Sequence, residues 1–175
     1  MVRAVKAATA VVIGSLVLSG TVAAQSADLA GYKVPHDVVK GWLLKAAEAV
    51  PEEHYGFKPT PEVRSLGQLF GHVANANFMI CSAATGEKSP ATGNAEQLTT
   101  KAEIQKALAD SFAFCDNAWT LVEGARGTEP VDLFGMKLTR ASTLAFNAAH
   151  DFEHYGNVVT YMRLKGMVPP SSGGN

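Results

Sequence analysis

Four segments of the chain carry apolar residues at the three- and four-residue spacing of an amphipathic helix, and this pattern limits the fold more than any other feature. The segments span residues 36–50, 66–84, 100–122 and 140–165. Pro51, Gly86 and Gly166 stand where three of them should end, and Thr100 with Glu103 forms a capping box at the start of another. No stretch repeats the two-residue alternation of an all-β domain. We therefore predict an all-α four-helix bundle.

A short stretch between the third and fourth segments is the one strand candidate. Residues 130–138 form two alternating runs around Phe134-Gly135, which predicts a small β-hairpin. The connections 51–64 and 86–98 are long and rich in glycine, proline and polar residues. Residues 25–175 are enough for one domain with its own core, and we expect no second domain.

Residues 1–24 have the form of a secretory signal peptide. Arg3 and Lys6 precede the apolar run 7–18, and Val22 and Ala24 are the small residues that a signal peptidase requires. The run is shorter than the roughly 20 residues of a membrane-spanning helix. We expect cleavage after Ala24 and an exported domain, periplasmic or secreted, without stable membrane insertion. A retained signal anchor is the alternative.

The charge of the chain argues against nucleic acid as a partner. The full chain has 15 basic and 16 acidic residues, and Arg3 and Lys6 belong to the predicted signal, so the exported part has 13 and 16, a net charge of −3. It has no basic run and no interleaving of aromatic and basic residues. A small-molecule substrate and a second copy of the chain, in a homodimer, remain as partners.

Three histidines fall on the apolar faces of two predicted helices. His150 and His154 are four residues apart, about 40° around the helix axis and roughly 6 Å along it. Their stripe also holds Leu144 and Val158, so the pair points into the bundle. His72 lies in the middle of the apolar stripe of the second segment.

Two interpretations of these histidines compete. In the first, each histidine is an ordinary core residue whose imidazole is satisfied by hydrogen bonds, and this is enough to explain any one of the three taken alone. Three titratable groups in one small core, however, repel each other when charged and lack obvious acceptors. A divalent metal ion bound by His72, His150 and His154 resolves that conflict, and imidazole nitrogen suits zinc or nickel. Three protein ligands leave a position for water or substrate, as in catalytic zinc sites.

Two stretches around these histidines resemble the DinB-like (damage-inducible B) superfamily of four-helix-bundle metalloenzymes. Residues 57–73, FKPTPEVRSLGQLFGHV, are similar to the segment that leads to the first metal histidine of the family. Residues 150–170, HDFEHYGNVVTYMRLKGMVPP, are similar to its last helix, including the glycine after the second histidine and the Gly-x-x-Pro exit. The resemblance covers nearly all of residues 25–175 and implies that the three ligands are His72, His150 and His154.

The chain also departs from the family. Some relatives are transferases or isomerases that use cytoplasmic thiols, and the predicted export argues against thiol chemistry here. Many members carry an acidic residue one turn after the first histidine, where this chain has Asn75, Ala76 and Asn77. A zinc-peptidase helix motif is also absent, because Asp151 stands where that motif requires glutamate.

Further candidates lie on the fourth segment. Asn147 and Asn157 project within about 60° of the histidine pair and could orient the imidazoles, with ordinary core hydrogen bonding as the alternative. Asp151 and Tyr161 are the catalytic candidates, Asp151 as the base. A rotation of about 100° from the adjacent histidines nevertheless predicts that Asp151 and Glu153 are solvated or ion-paired.

The remaining histidines and the cysteines are predicted to lie away from the site. His36, at a helix start, and His54, in a loop, are expected at the surface. Cys81 points about 180° away from His72 and is not a ligand. Cys81 and Cys115 should form a disulfide in an oxidising compartment, but antiparallel second and third helices would place them at different heights. A disulfide and two separately buried thiols remain as equal alternatives.

Two functions follow from the sequence. The first is a metal-dependent enzyme of hydrolase or transferase type with an unknown substrate. The second is a non-catalytic metal-binding or stress-associated helical bundle.

Overall fold

The computed structural model describes residues 29–173, so the predicted signal peptide lies outside the described part. Its elements confirm the predicted bundle and hairpin. The four helices are α1 Leu29–Ala49, α2 Leu66–Thr85, α3 Lys101–Leu121 and α4 Arg140–Leu164, and the strands are β1 Pro130–Leu133 and β2 Met136–Thr139. Among the helices of this part, none combines the length and apolar character needed to cross a membrane.

Caps begin and end these helices where the sequence predicts them. Ser65 and Thr100 each accept from the backbone amide three residues on, and Gln68 and Glu103 complete both capping boxes. Gly86 ends α2 in the left-handed region, with φ of 79°, which glycine adopts without strain.

The order of the helices differs from a simple up-and-down bundle. Cys81 lies beside Cys115 and Asn77 beside Ser111, so α2 and α3 run in the same direction. The segment 86–100 returns along the bundle between them; fully extended it spans roughly 50 Å, more than the 30 Å length of a 20-residue helix. The helix α1 is likewise parallel to α4, because Leu29 shares an apolar cluster with Ala141 near their starts and Trp42 stacks on Tyr155 further along both helices.

The parallel arrangement decides between the two alternatives for the cysteines. Cys81 and Cys115 form a disulfide, with Cα atoms 5.4 Å apart and both residues fully buried. Only antiparallel helices would have placed the sulfurs at different heights, and α2 and α3 are parallel. The bridge closes a loop of 34 residues, for which loss of entropy in the unfolded chain corresponds to about 4 kcal/mol of stability.

His36 is buried, and its predicted surface position was wrong. The helix α1 begins at Leu29 and continues through Pro35, so His36 belongs to its core stripe with Val39 and Leu43 rather than to a helix start. Its Nε2 lies 3.0 Å from Oδ1 of Asp116, and burial lowers the pKa of the imidazole despite that carboxylate. His54, by contrast, is half-buried in the short turn Glu52–His54.

The β1–β2 hairpin packs against α2. Its two-residue turn, Phe134-Gly135, has φ of 55° and 81°, as a type I′ turn requires. Leu133 is buried against Ala76 and Ile80. The hairpin therefore covers an apolar part of α2 one turn beyond His72.

Candidate metal centre

Antiparallel packing of α2 against α4 brings the three histidines to one height. Tyr161 donates a hydrogen bond to the carbonyl of Arg64 near one end, and Arg140 donates to the carbonyl of Ala84 near the other. His72, His150 and His154 lie between these two contacts, each with one ring nitrogen within 4.8 Å of the others. The structure thus assembles all three predicted ligand residues.

The spacing of the nitrogens fits a divalent ion. The Nε2 atoms of His150 and His154 are 3.1 Å apart. Two nitrogens at that separation, each about 2.05 Å from an ion, subtend roughly 100°, between the octahedral and tetrahedral angles. His72 completes the group with ring centroids 4.5 Å from His154 and 5.3 Å from His150. The donor set is therefore suited to zinc, nickel or a similar ion.

Electrostatics keep at least one ligand neutral. Burial, followed by the nearby His150 and His72, lowers the pKa of His154 to about 4. A neutral imidazole has a free lone pair on one nitrogen, which is the form that binds metal. His154 is consequently ready to bind an ion at neutral pH.

A carboxylate that the sequence analysis missed contacts the first ligand. Oε1 of Glu96 lies 2.8 Å from Nδ1 of His72, and Oε2 accepts from Nε of Arg64 at 2.9 Å. Burial raises the pKa of Glu96, but the hydrogen bonds from Arg64 and His72 outweigh it and lower the pKa below its usual value. An ionised Glu96 fixes the proton of His72 on Nδ1, which leaves Nε2 for the ion.

The local sequence explains how Glu96 reaches His72 from a long loop. Glu96 lies in the short turn Ala95–Gln97, which rests directly on α2. Oδ1 of Asn75 accepts from the Ala95 amide at 2.9 Å, and its Nδ2 donates to Asn94 at 2.6 Å. Gly71 leaves room for the turn, since a Cβ there would lie 2.4 Å from the Ala95 carbonyl oxygen. Asn75, one turn after His72, thus holds the loop that supplies a carboxylate to this histidine.

Asp151 is buried in the bundle, so the predicted solvated position was wrong, whereas the predicted ion pair is present: its Oδ1 lies 3.9 Å from Nδ1 of His150. Asn147 donates to its Oδ2 at 3.3 Å, and the amide nitrogen of Asn77, oriented by its neighbours, lies 3.2 Å from Oδ1. His150 and His154 lie at the edge of the α2–α4 contact, so a 100° rotation brings Asp151 toward the bundle centre instead of solvent. Burial raises the pKa of Asp151 to about 6, although His150 opposes the shift. Glu153 is exposed, as predicted.

The other predicted residues of α4 occupy different surroundings. Asn147 is buried; it donates to Asp151, and its Oδ1 accepts from the amide nitrogen of Asn77, while Asn157 is exposed. Within residues 29–173 neither asparagine makes a hydrogen bond to one of the three histidines. Tyr161 is buried, which raises the pKa of its hydroxyl, and that hydroxyl donates to Arg64 at 3.0 Å. A catalytic role for Asp151 or Tyr161 stays a prediction.

A cavity opens beside the histidines. It has a volume of about 620 Å³ and is bordered by His154, Asn157 and Tyr161 of α4 and by Arg64 and Glu96 on the opposite side. The side chains of His72 and His150 are 22% and 18% exposed. A small molecule in the cavity can therefore contact His154, while His72 and His150 are partly exposed beside it.

Comparisons with known proteins give the family and the fold of the chain. Residues 41–158 match the model of the DinB superfamily. The chain is 24% identical over 122 residues to the uncharacterized protein YjoA of Bacillus subtilis (strain 168), a match that covers 69% of this chain and 79% of YjoA.

Solved structures confirm the fold. A DinB-like protein from Bacillus cereus is similar with a TM-score of 0.71 at 18% identity, over 81% of this chain and 95% of that chain. The DinB-like protein YjoA from Bacillus subtilis is similar with a TM-score of 0.58 at 19% identity, over 80% and 92%. Because the family model spans more than half of the chain and includes His72, His150 and His154, the chain belongs to the DinB superfamily.

Proposed function

We propose that the protein is an exported, metal-dependent enzyme of hydrolase or transferase type that acts on a small molecule. The observation that carries the proposal is the convergence of His72, His150 and His154 beside an open cavity. Zinc and nickel are the proposed ions, because all three ligands are imidazoles.

Each residue of the site has a distinct task in this proposal. The three histidines hold the ion, and Glu96 orients His72 from the side away from the ion. A bound divalent ion would supply Lewis acidity and lower the pKa of water at its open position. Arg64 keeps Glu96 ionised and in place, and the adjoining cavity admits the substrate.

The packing of the bundle favours a catalytic over a purely structural ion. All three histidines come from α2 and α4, whose contact is secured at Arg64–Tyr161 and at Ala84–Arg140 without an ion. The disulfide already joins α2 to α3. An ion at the exposed edge of this contact would add little to a framework that is held together elsewhere.

Export is part of the proposal and has independent support. Disulfides persist in oxidising compartments, and Cys81–Cys115 is buried in the bundle core. The form of residues 1–24 is that of a signal peptide. A fusion of the chain to a reporter that is active only after export would test this part separately.

Cobalt substitution tests whether the ion keeps an open position. The visible spectrum of the cobalt-loaded protein should change when azide is added, because azide enters a coordination position that the protein leaves free. A spectrum unchanged by azide would indicate a closed site and favour the non-catalytic bundle. His150→Ala should show no cobalt spectrum of this kind, whereas His54→Ala, outside the three-histidine group, should behave like the wild type.

A further inference from the structure

The cavity beside His154 is bordered by two cationic side chains that a ligand could contact. Its volume of about 620 Å³ suits a small organic molecule. Beyond His154 it is bordered by Lys58 and Arg64 on one side and by Asn157 on α4. Through His154 this space adjoins the three-histidine group.

The donors of the cavity lack partners in the described chain. Between residues 29 and 173, the ammonium of Lys58 makes no hydrogen bond or ion pair with another residue. Arg64 bonds Glu96 through Nε, while its two terminal nitrogens make no hydrogen bond in the same range. The side-chain amide of Asn157 is exposed and likewise makes none there.

The acceptors of the cavity are only partly used. Both oxygens of Glu96 accept, one near His72 and one from Arg64. The hydroxyl proton of Tyr161 is directed to a backbone carbonyl. Glu62 is fully exposed, and its carboxylate is a free anionic group at the border of the cavity. A ligand of this cavity thus meets the unpaired cationic groups of Lys58 and Arg64 beside one free carboxylate.

The charges around the cavity favour an anionic ligand once the three histidines hold a metal ion. Lys58 and Arg64 balance Glu62 and Glu96, so a divalent ion on the three histidines gives the cavity a net positive charge. The terminal nitrogens of an arginine form a planar fork that matches the oxygens of a carboxylate or phosphate.

We propose that Lys58 and Arg64 bind the anionic end, a carboxylate or a phosphate, of a small substrate whose other end lies at the metal. The substrate class is thus a small organic acid or phosphorylated molecule with a second reactive group. This inference rests on the proposed function, because the second group needs the metal ion as its partner.

The inference can be tested with two-headed anions, which carry an acidic group at each end. The protein is first loaded with zinc, and its metal content is measured. Calorimetric titrations would compare acetate with succinate, glutarate and adipate, and with 3-phosphonopropionate to distinguish a carboxylate from a phosphate end. At least one two-headed anion should bind about 10-fold more tightly than acetate. Lys58→Gln should reduce that preference about 5- to 10-fold and leave acetate binding unchanged.

Two variants make the result specific. Lys45→Gln removes the same charge from an exposed position on α1 and should keep the preference intact. Arg64→Gln should lose it, as Lys58→Gln does. Equal affinities for acetate and every two-headed anion, or equal behaviour of Lys58→Gln and Lys45→Gln, would overturn the inference. A protein that binds no zinc at all would instead overturn the proposed function, and the metal measurement separates the two failures.

Discussion

Replacing Gly71 by alanine should push the Glu96 turn away from α2. A Cβ at this position would lie 2.4 Å from the carbonyl oxygen of Ala95 and 2.9 Å from the amide nitrogen of Glu96. Both are backbone atoms that cannot rotate aside, so the turn has to recede by roughly 1 Å to reach a normal contact distance. The 2.8 Å contact between Glu96 and His72 then exceeds hydrogen-bonding range.

Opposing contributions set the size of the effect of Gly71→Ala. Alanine is favoured over glycine in a helix by up to about 1 kcal/mol, whereas an overpacked contact costs about 1–3 kcal/mol. The metal-free protein should therefore lose on the order of 1 kcal/mol of unfolding free energy. Loss of the carboxylate behind His72 should weaken metal affinity by about 10- to 100-fold.

Two measurements separate these effects. Competition with a chromophoric chelator gives the metal affinity, and urea unfolding of the metal-free protein gives the stability. Gly41→Ala is the matched control: nothing lies within 4 Å of a Cβ on this α1 residue, so it should gain about 0.5–1 kcal/mol and bind metal normally. Glu96→Gln should weaken metal binding, and the double variant Gly71→Ala/Glu96→Gln should lose little more than either single variant. Wild-type metal affinity in Gly71→Ala would refute the reasoning.

Three further predictions concern the core of the bundle. Because burial raises the pKa of Asp151 to about 6, this carboxyl holds a proton in the folded metal-free protein but not in the unfolded chain between about pH 4 and pH 6. Its own contribution to stability should therefore fall as pH rises through that window, while His154, with its pKa lowered to about 4, contributes in the opposite direction. Asp151→Asn should remove this pH dependence in urea unfolding; a slope equal to that of the wild type would contradict it. Replacing Cys81 and Cys115 by alanine should cost about 4 kcal/mol, measured against the wild type with and without reductant, and an equal stability would argue against the bridge. His36→Ala should cost about 2–4 kcal/mol and His54→Ala less than about 0.5 kcal/mol, so equal losses in thermal unfolding would disprove the buried position of His36.

The elements that could be predicted are the helices, whose apolar residues recur at a regular spacing. Apolar spacing and end signals fixed four helices to within a few residues, except at the start of α1. The pair His150 and His154 shares one helix, so its geometry follows directly from the helix repeat. His72 could be joined to them because it occupies the same kind of position on another amphipathic helix.

The features that escaped prediction depend on contacts between distant segments. Glu96 lies 24 residues after His72 in a loop without periodicity, and only the Asn94 cap before it marks a turn. The parallel order of α2 and α3 was open, because the segment 86–100 is long enough to reach either end of the bundle. The burial of Asp151 depends on which sides of α4 are covered by the neighbouring helices. The hydrophobic pattern of α4 alone does not show this.

The most direct test of the account is the metal content and coordination of protein purified without an affinity tag, since nickel resin could load such a site. Elemental analysis should find one zinc or nickel ion per chain. X-ray absorption should find three imidazole nitrogens with at least one further ligand from solvent. His150→Ala should lose the ion, while His54→Ala should keep it. Substoichiometric metal in the wild type, or unchanged metal content in His150→Ala, would contradict the assignment of His72, His150 and His154 as a metal site.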